Sequence, residues 1–124
     1  MAGTVLVHTV DSPALRVNWD PGNAHHAGER PFPDGWEAVR DQVENVHVKD
    51  SRRDPDGKMV WAIPGEGEID WAGQLRALAE RNYRGQVTIE THLRPGPEQT
   101  KRSLDAVREM LAATGATSAY AARA

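Results

Sequence analysis

The sequence predicts an α/β fold in which helices pack on the apolar side of a sheet of about three parallel strands. Three segments alternate apolar and polar residues, as strands with one buried face do; they are 15–20, 43–50 and 84–92. Segments with helical spacing flank and separate them. Such alternation of helices and strands favours a parallel sheet with right-handed crossovers. A solvated antiparallel sheet is the alternative, and the intervening helices argue against it.

Length and composition narrow the class of protein. The 124 residues suffice for one domain with a real core. The net charge is -3, and lysine and arginine are scattered, so no nucleic-acid surface and no membrane partner is indicated. Because cysteine is absent, a metal would need oxygen and imidazole ligands. No apolar run approaches the roughly 20 residues that span a bilayer. With no secretory signal pattern at the N-terminus either, we expect a cytoplasmic protein.

The helices are predicted from apolar spacing and from residues typical of helix ends. A first helix should end before Pro13, and a short one should run from Trp36 through Val39 towards Gln42. Asp70 is the expected N-cap of a third helix, which buries Trp71, Leu75, Leu78 and Ala79. A fourth should begin near Pro97 and end at Gly115, with a buried stripe of Leu104, Val107, Met110 and Leu111.

Each predicted strand carries a side chain able to bind a metal near its C-terminal end. These residues are Asp20, His47 and Glu90. Successive strand residues face opposite sides, so all three belong to the polar face of the sheet. In parallel β/α folds the C-terminal strand ends and the following loops hold the active site. The sequence therefore predicts a metal site there, with 21–33 and 51–70 as active-site loops.

Five motifs, in this order, resemble the sugar phosphate isomerase/epimerase family with the xylose isomerase-like TIM barrel. They are Asn18-Trp-Asp-Pro-Gly-Asn23, His47-Val-Lys-Asp50, Gly65-Glu-Gly-Glu-Ile-Asp-Trp71, Tyr83-Arg-Gly85 and Ile89-Glu-Thr-His92. The resemblance covers nearly the whole chain and implies a partial (β/α)8 barrel. A full barrel has about 250 residues. We therefore expect residues 1–116 to be the C-terminal portion of such a barrel and 117–124 to be a disordered tail.

The resemblance also implies a cofactor, a reaction and a substrate class. The cofactor would be a divalent metal, Mn²⁺ first, with Mg²⁺, Co²⁺ or Zn²⁺ as alternatives, held by Asp20, His47 and Glu90. The family's fourth ligand is a glutamate on the preceding strand, which has no equivalent in this sequence. The reaction would be proton abstraction next to a carbonyl of a sugar or polyol through a metal-stabilised enediolate, with Glu90 as the catalytic residue.

Substrate contacts are expected from Asn23, Lys49, Asp50 and His92. Two alternatives stay open: Lys49 and Asp50 could instead pair with each other, and Asp20 could instead cap the turn made by Pro21 and Gly22. Among the other polar residues, the sequence predicts solvated loop positions for His25 and His26, and loop solubility as the role of Glu66 and Glu68.

Three other functions are alternatives to this reaction. An inosose-type dehydratase of the same family would use the same proton abstraction. Type IV AP endonucleases share the architecture, but their additional aspartate and histidine ligands are replaced by Met59 and Trp61. A non-catalytic fragment or one subunit of a split barrel is the third, because a partial barrel leaves two sheet edges unpaired. Such a chain would act as a homodimer or with an N-terminal half-barrel.

Overall fold

The computed structural model describes residues 2–115, which fold around a central parallel sheet. In chain order the elements are α1 (Ala2–Val10), β1 (Val17–Trp19), α2 (Pro21–His26), α3 (Trp36–Val39), β2 (Val43–Val48), β3 (Asp50–Arg53), β4 (Met59–Ala62), α4 (Trp71–Glu80), β5 (Gln86–Ile89) and α5 (Gly96–Ala113). A π-type turn, Pro31–Gly35, leads directly into α3. The predicted tail at 117–124 lies outside the described residues.

The three parallel strands are those that the sequence predicts, and their order is β1-β2-β5. Trp19 pairs with Val46 on one side of β2, and Val48 pairs with Ile89 on the other. The paired segments are shorter than the predicted ones, because the ladder covers only the residues where neighbouring backbones meet. The α/β class and the parallel arrangement are confirmed.

The hydrophobic core lies between this sheet and the helices on one of its faces. Val46 and Val48 are fully buried on that face, as the alternation in β2 predicts. They belong to one cluster with Trp19, Trp36, Val39, Ile69, Trp71, Leu75, Leu78 and Val107. Since the apolar side chains of the strands turn towards the helices, the polar side chains point to the opposite face.

The predicted helix ends agree with the structure. Asp70 is the N-cap of α4, and its carboxylate accepts a hydrogen bond of 2.8 Å from the backbone N–H of Gly73. Gly115 follows α5 with a φ of +73°, a left-handed conformation that glycine adopts without strain. Within residues 2–115, no helix combines the length and the apolar character needed to cross a bilayer.

The two segments predicted as plain loops contain secondary structure. Segment 51–70 contains nearly all of an antiparallel hairpin. This hairpin, β3–β4, begins one residue earlier, at Asp50. The carboxylate of Asp54 holds its turn by accepting hydrogen bonds from the N–H groups of Asp56 and Lys58. Segment 21–33 contains α2, because Pro21 can occupy the first turn of a helix and Asp20 caps it. The loop prediction was wrong for these stretches.

We predict that Leu75→Ala lowers the free energy of unfolding by about 2–5 kcal/mol, because it leaves a cavity beneath the sheet. Leu75 is 1% exposed, whereas Leu6 is 57% exposed and offers a matched control. Urea titration followed by circular dichroism measures both variants. Equal losses for Leu75→Ala and Leu6→Ala would contradict this core.

Candidate metal centre

Three side chains converge where the parallel strands end. Asp20 directly follows β1, His47 is the penultimate residue of β2, and Glu90 directly follows β5. Nδ1 of His47 lies 3.3 Å from Oε2 of Glu90 and 3.7 Å from Oδ2 of Asp20. One potential ligand atom from each residue lies within 4.8 Å of those of the other two. Two carboxylate oxygens and one imidazole nitrogen thus meet in a space suited to one cation.

The two carboxylate oxygens of Asp20 have different partners. Oδ1 accepts a hydrogen bond of 2.8 Å from the backbone N–H of Asn23 and so caps α2. Oδ2 faces the centre, 2.9 Å from Nζ of Lys49. The capping role left open by the sequence is therefore present in one oxygen, and the other oxygen remains turned towards the site.

Lys49 brings a positive charge into the centre. Its Nζ lies 2.5 Å from Oε2 of Glu90 and 2.9 Å from Oδ2 of Asp20, and its side chain is 4% exposed. Burial lowers the pKa of Lys49, but the hydrogen bonds to Glu90 and Asp20 outweigh it, so the pKa is raised above its ordinary value. The hydrogen bond from Lys49 in turn lowers the pKa of Glu90. Both groups are therefore held in their charged forms.

Asp50 has a different role from the predicted substrate contact. Its side chain is fully buried. One oxygen accepts hydrogen bonds from the N–H groups of Ser51 and Ile69, and the other from those of Gly65 and Gly67, at 2.8–3.3 Å. The hydrogen-bond partners of this carboxylate are thus backbone amides and not Lys49, and its burial argues against the predicted substrate contact.

These hydrogen bonds explain why the second and third motifs occur together. The carboxylate at the end of the His47-Val-Lys-Asp50 motif fixes the loop formed by the Gly65–Trp71 motif. A β-carbon on Gly67 would collide with that carboxylate, so glycine is required by space. Trp71 closes the arrangement from the other end, since its indole N–H donates to the carbonyl of Lys49 at 3.1 Å.

A family model described as the xylose isomerase-like TIM barrel matches residues 4–110. The chain belongs to this family. Its three parallel strands and their flanking helices are part of a (β/α)8 barrel, and the predicted family is confirmed.

Among solved structures, the chain is similar to a xylose isomerase domain protein from Planctomyces limnophilus. The TM-score is 0.68 at 27% identity, over 87% of this chain and 40% of that one. A xylose isomerase domain protein from Alicyclobacillus acidocaldarius gives a TM-score of 0.62 at 26% identity, over 88% and 41%. These matches cover most of this chain and less than half of each relative.

Among curated proteins, the chain is similar to inosose dehydratases from Clostridium botulinum (strain Eklund 17B / Type B) and Clostridium tetani. Each is 27% identical in an alignment 104 residues long, and the match covers 73% of this chain and 35% of the relative. The chain therefore spans about a third of the length of these relatives.

In this barrel segment an aromatic stack closes one side of the centre. The Trp61 ring on β4 stacks with two imidazoles: the His26 centroid is 4.0 Å away and the His92 centroid 4.7 Å away. Nζ of Lys49 is 5.3 Å from the Trp61 centroid, within cation–π range. Sequence reasoning missed this stack, because the sequence predicts a loop where the structure has the hairpin that presents Trp61. The sequence does contain a signal for the hairpin: the Asp56-Gly57 pair, which favours a tight turn, precedes Met59–Ala62, which has residues that favour a strand.

The two loop histidines have specific contacts, which corrects their predicted solvated roles. His26 stacks on Trp61. His25 places Nδ1 2.7 Å from the hydroxyl oxygen of Ser51 and Nε2 3.3 Å from a carboxylate oxygen of Glu68. His25 therefore links α2 to the hairpin and to the loop of the Gly65–Trp71 motif, which we call the glycine-rich loop. Glu68 makes a specific contact with His25 and so does more than keep that loop soluble.

Polar side chains on the sheet lie beside His47. The side-chain amide nitrogen of Asn18 is 3.3 Å from Nε2 of His47, and Asn45 donates a 2.9 Å hydrogen bond to the side-chain oxygen of Asn18. The hydroxyl of Thr88 donates in turn to the oxygen of Asn45 at 3.3 Å. This row extends across all three strands and contacts the imidazole of His47 through Asn18.

The remaining predicted substrate contacts border the centre. Asn23 is exposed in the first turn of α2. His92 is also exposed, and its Nε2 lies 3.4 Å from Nζ of Lys49. Their roles as substrate contacts stay predictions, as do the roles of Asp20, His47 and Glu90 as metal ligands.

We predict that Asp50→Asn destabilises the protein by about 2 kcal/mol, because charge-assisted hydrogen bonds to buried amides are lost. Asp56→Asn in the exposed hairpin turn is the matched control and should have little effect. Urea unfolding gives both free energies. A loss in Asp50→Asn no larger than in Asp56→Asn would refute the anchoring role.

Proposed function

We propose that this chain carries metal-binding strands of an enzyme that removes a proton next to a carbonyl group of a sugar or cyclic polyol. The observation that supports this most strongly is the meeting of Asp20, His47 and Glu90 at the ends of three adjacent parallel strands. Those ends are where barrels of this class place their active sites. The match to the xylose isomerase-like family supports the same assignment.

The donor set fits a divalent cation. Two carboxylates and one imidazole suit Mn²⁺, with Mg²⁺, Co²⁺ and Zn²⁺ as alternatives. The two carboxylates attract positive charge, and the ammonium group of Lys49 lies between them for that reason. When bound, the metal ion supplies a Lewis acid that stabilises negative charge developing on the substrate's oxygen atoms.

Asp20, His47 and Glu90 each have a role in the proposed reaction. Asp20 and His47 would hold the metal, and the capping hydrogen bond from the N–H of Asn23 fixes the orientation of Asp20. Glu90 would be a ligand and also the group that accepts the proton, and the hydrogen bond from Lys49 keeps it ionised by lowering its pKa.

The substrate would be bound beside these groups. Lys49, Asn23 and His92 border the centre and offer hydrogen-bond donors to its oxygen atoms. The fourth ligand and the second proton-transfer group are expected from a glutamate on a further barrel strand, supplied by an N-terminal half-barrel or a second subunit.

Two outcomes can follow the first proton transfer. Return of the proton to a neighbouring carbon or to the opposite face gives isomerisation or epimerisation. Loss of a hydroxyl group from the next carbon gives dehydration, and the similarity to proteins named inosose dehydratase favours this second candidate. Both outcomes require the same proton abstraction at the metal centre.

We predict that His47→Ala weakens binding of Mn²⁺ at least about tenfold, because one of three ligands is removed. His8→Ala is the matched control, since His8 is exposed on α1 and lies beside Leu15 and Gln42, which precede β1 and β2, at the other end of the strands from the centre. Isothermal titration calorimetry with MnCl₂ measures both affinities. Identical binding by His47→Ala and wild type would remove His47 from the ligand set.

We predict that the Mn²⁺-loaded chain exchanges the proton next to the carbonyl of its substrate for deuterium in D₂O. Exchange needs only one base, so Glu90 can perform it without the second proton-transfer group. Glu90→Gln should slow exchange by about 10²–10⁴-fold, and Glu80→Gln on the exposed end of α4 should not. NMR on ketoses, their phosphates and an inosose provides the measurement.

An exchange rate that is unchanged in Glu90→Gln would eliminate Glu90 as the base. Exchange with the inosose together with loss of water would select dehydration. Exchange with a ketose that yields an aldose or an epimer would select the other outcome.

A further inference from the structure

Lys49 contacts the same oxygen atoms that turn towards His47. Its Nζ lies near Oδ2 of Asp20 and Oε2 of Glu90, the two oxygens that lie 3.7 and 3.3 Å from Nδ1 of His47. Any cation held jointly by these carboxylates and the imidazole shares its oxygen ligands with the ammonium group. Two positive charges then occupy neighbouring positions on one pair of carboxylates.

The position of Lys49 is built into the fold. A β-carbon on Gly22 would overlap the side-chain stem of Lys49, so α2 packs directly against that stem. The carbonyl of Lys49 accepts the indole N–H of Trp71, which fixes its backbone. With a side chain 4% exposed, Lys49 has little freedom to turn into solvent. The chain thus maintains a cation between its two carboxylates.

Two aromatic rings next to the ammonium group offer it alternative partners. Nε2 of His92 lies 3.4 Å from Nζ, and the Trp61 ring lies 5.3 Å from it. A small rotation of the Lys49 side chain would move its charge away from the carboxylates and towards these rings. The imidazole and the indole can receive a cation there, one as a hydrogen-bond acceptor and the other through its π face.

We propose that Lys49 is an internal counter-cation, which competes with the divalent ion for Asp20 and Glu90 and moves towards His92 and Trp61 when the ion binds. This inference rests on the metal site proposed above. It gives Lys49 two roles: it neutralises the paired carboxylates in the absence of metal, and it lowers the affinity of the site for a divalent ion.

The test is a calorimetric titration of Lys49→Met with MnCl₂ beside wild type. Because removal of a unit charge next to the divalent ion relieves repulsion, the dissociation constant should fall at least about tenfold. Lys49→Arg keeps the charge and should show no gain. Lys58→Met, at an exposed position in the hairpin turn, controls for net charge and should bind as wild type does.

The outcomes separate this inference from the metal site itself. If wild type binds Mn²⁺ and Lys49→Met binds it equally or more weakly, the counter-cation role is refuted and the metal site stands. Binding by Lys49→Met alone supports the role. If neither protein binds Mn²⁺, Mg²⁺, Co²⁺ or Zn²⁺, both proposals fail.

A second measurement does not depend on the folding of a variant. In a crystal structure of the wild-type chain with Mn²⁺ at the centre, Nζ of Lys49 should lie beyond hydrogen-bond distance of Glu90 and nearer His92. An ammonium group that still contacts both carboxylates beside bound Mn²⁺ would overturn the competition.

Discussion

The centre of this protein is organised by the need to balance two carboxylates that the sheet brings together. β2 lies between β1 and β5 in parallel register, so the residues that follow β1 and β5 flank the end of β2. Asp20 and Glu90 therefore approach the same point from opposite sides. Two carboxylates at such short range repel each other, and a cation between them allows both to stay ionised. Lys49 supplies that charge within the chain, and a divalent metal is the second cation proposed for the site.

The buried carboxylate of Asp50 performs a different task only one residue after Lys49. By accepting hydrogen bonds from the amides of the glycine-rich loop, it holds the segment between the hairpin and α4 against the end of β2. Burial raises the pKa of Asp50, while the amide hydrogen bonds act in the opposite direction. Adjacent residues of one motif thus have separate roles. Lys49 balances the charge of the two carboxylates, and Asp50 holds the glycine-rich loop in place.

The hairpin contributes an aromatic side chain, Trp61, to a ring stack next to the proposed metal centre. β4 carries Trp61 next to Lys49, where His26 from α2 and His92 from the segment after β5 both stack with its ring. Three parts of the chain, distant in sequence, are joined by one aromatic stack next to Lys49. The hairpin, α2 and the end of β5 are therefore packed together around the proposed metal centre.

The sequence by itself determined the three parallel strands, their buried and polar faces, the helix caps and the family. Each of these depends on local spacing or on motifs contiguous in the chain, such as the alternation around Val46 and Val48 or the cap at Asp70. Asp20, His47 and Glu90 could be chosen because strand polarity alone sends them to one edge. Only the tertiary structure decided the partners of Lys49 and Asp50, the stacking of Trp61 and the contacts of His25. Those depend on how the chain after β2 folds back over the sheet, and hydrogen bonds and ring contacts between residues far apart in sequence leave no periodic signal.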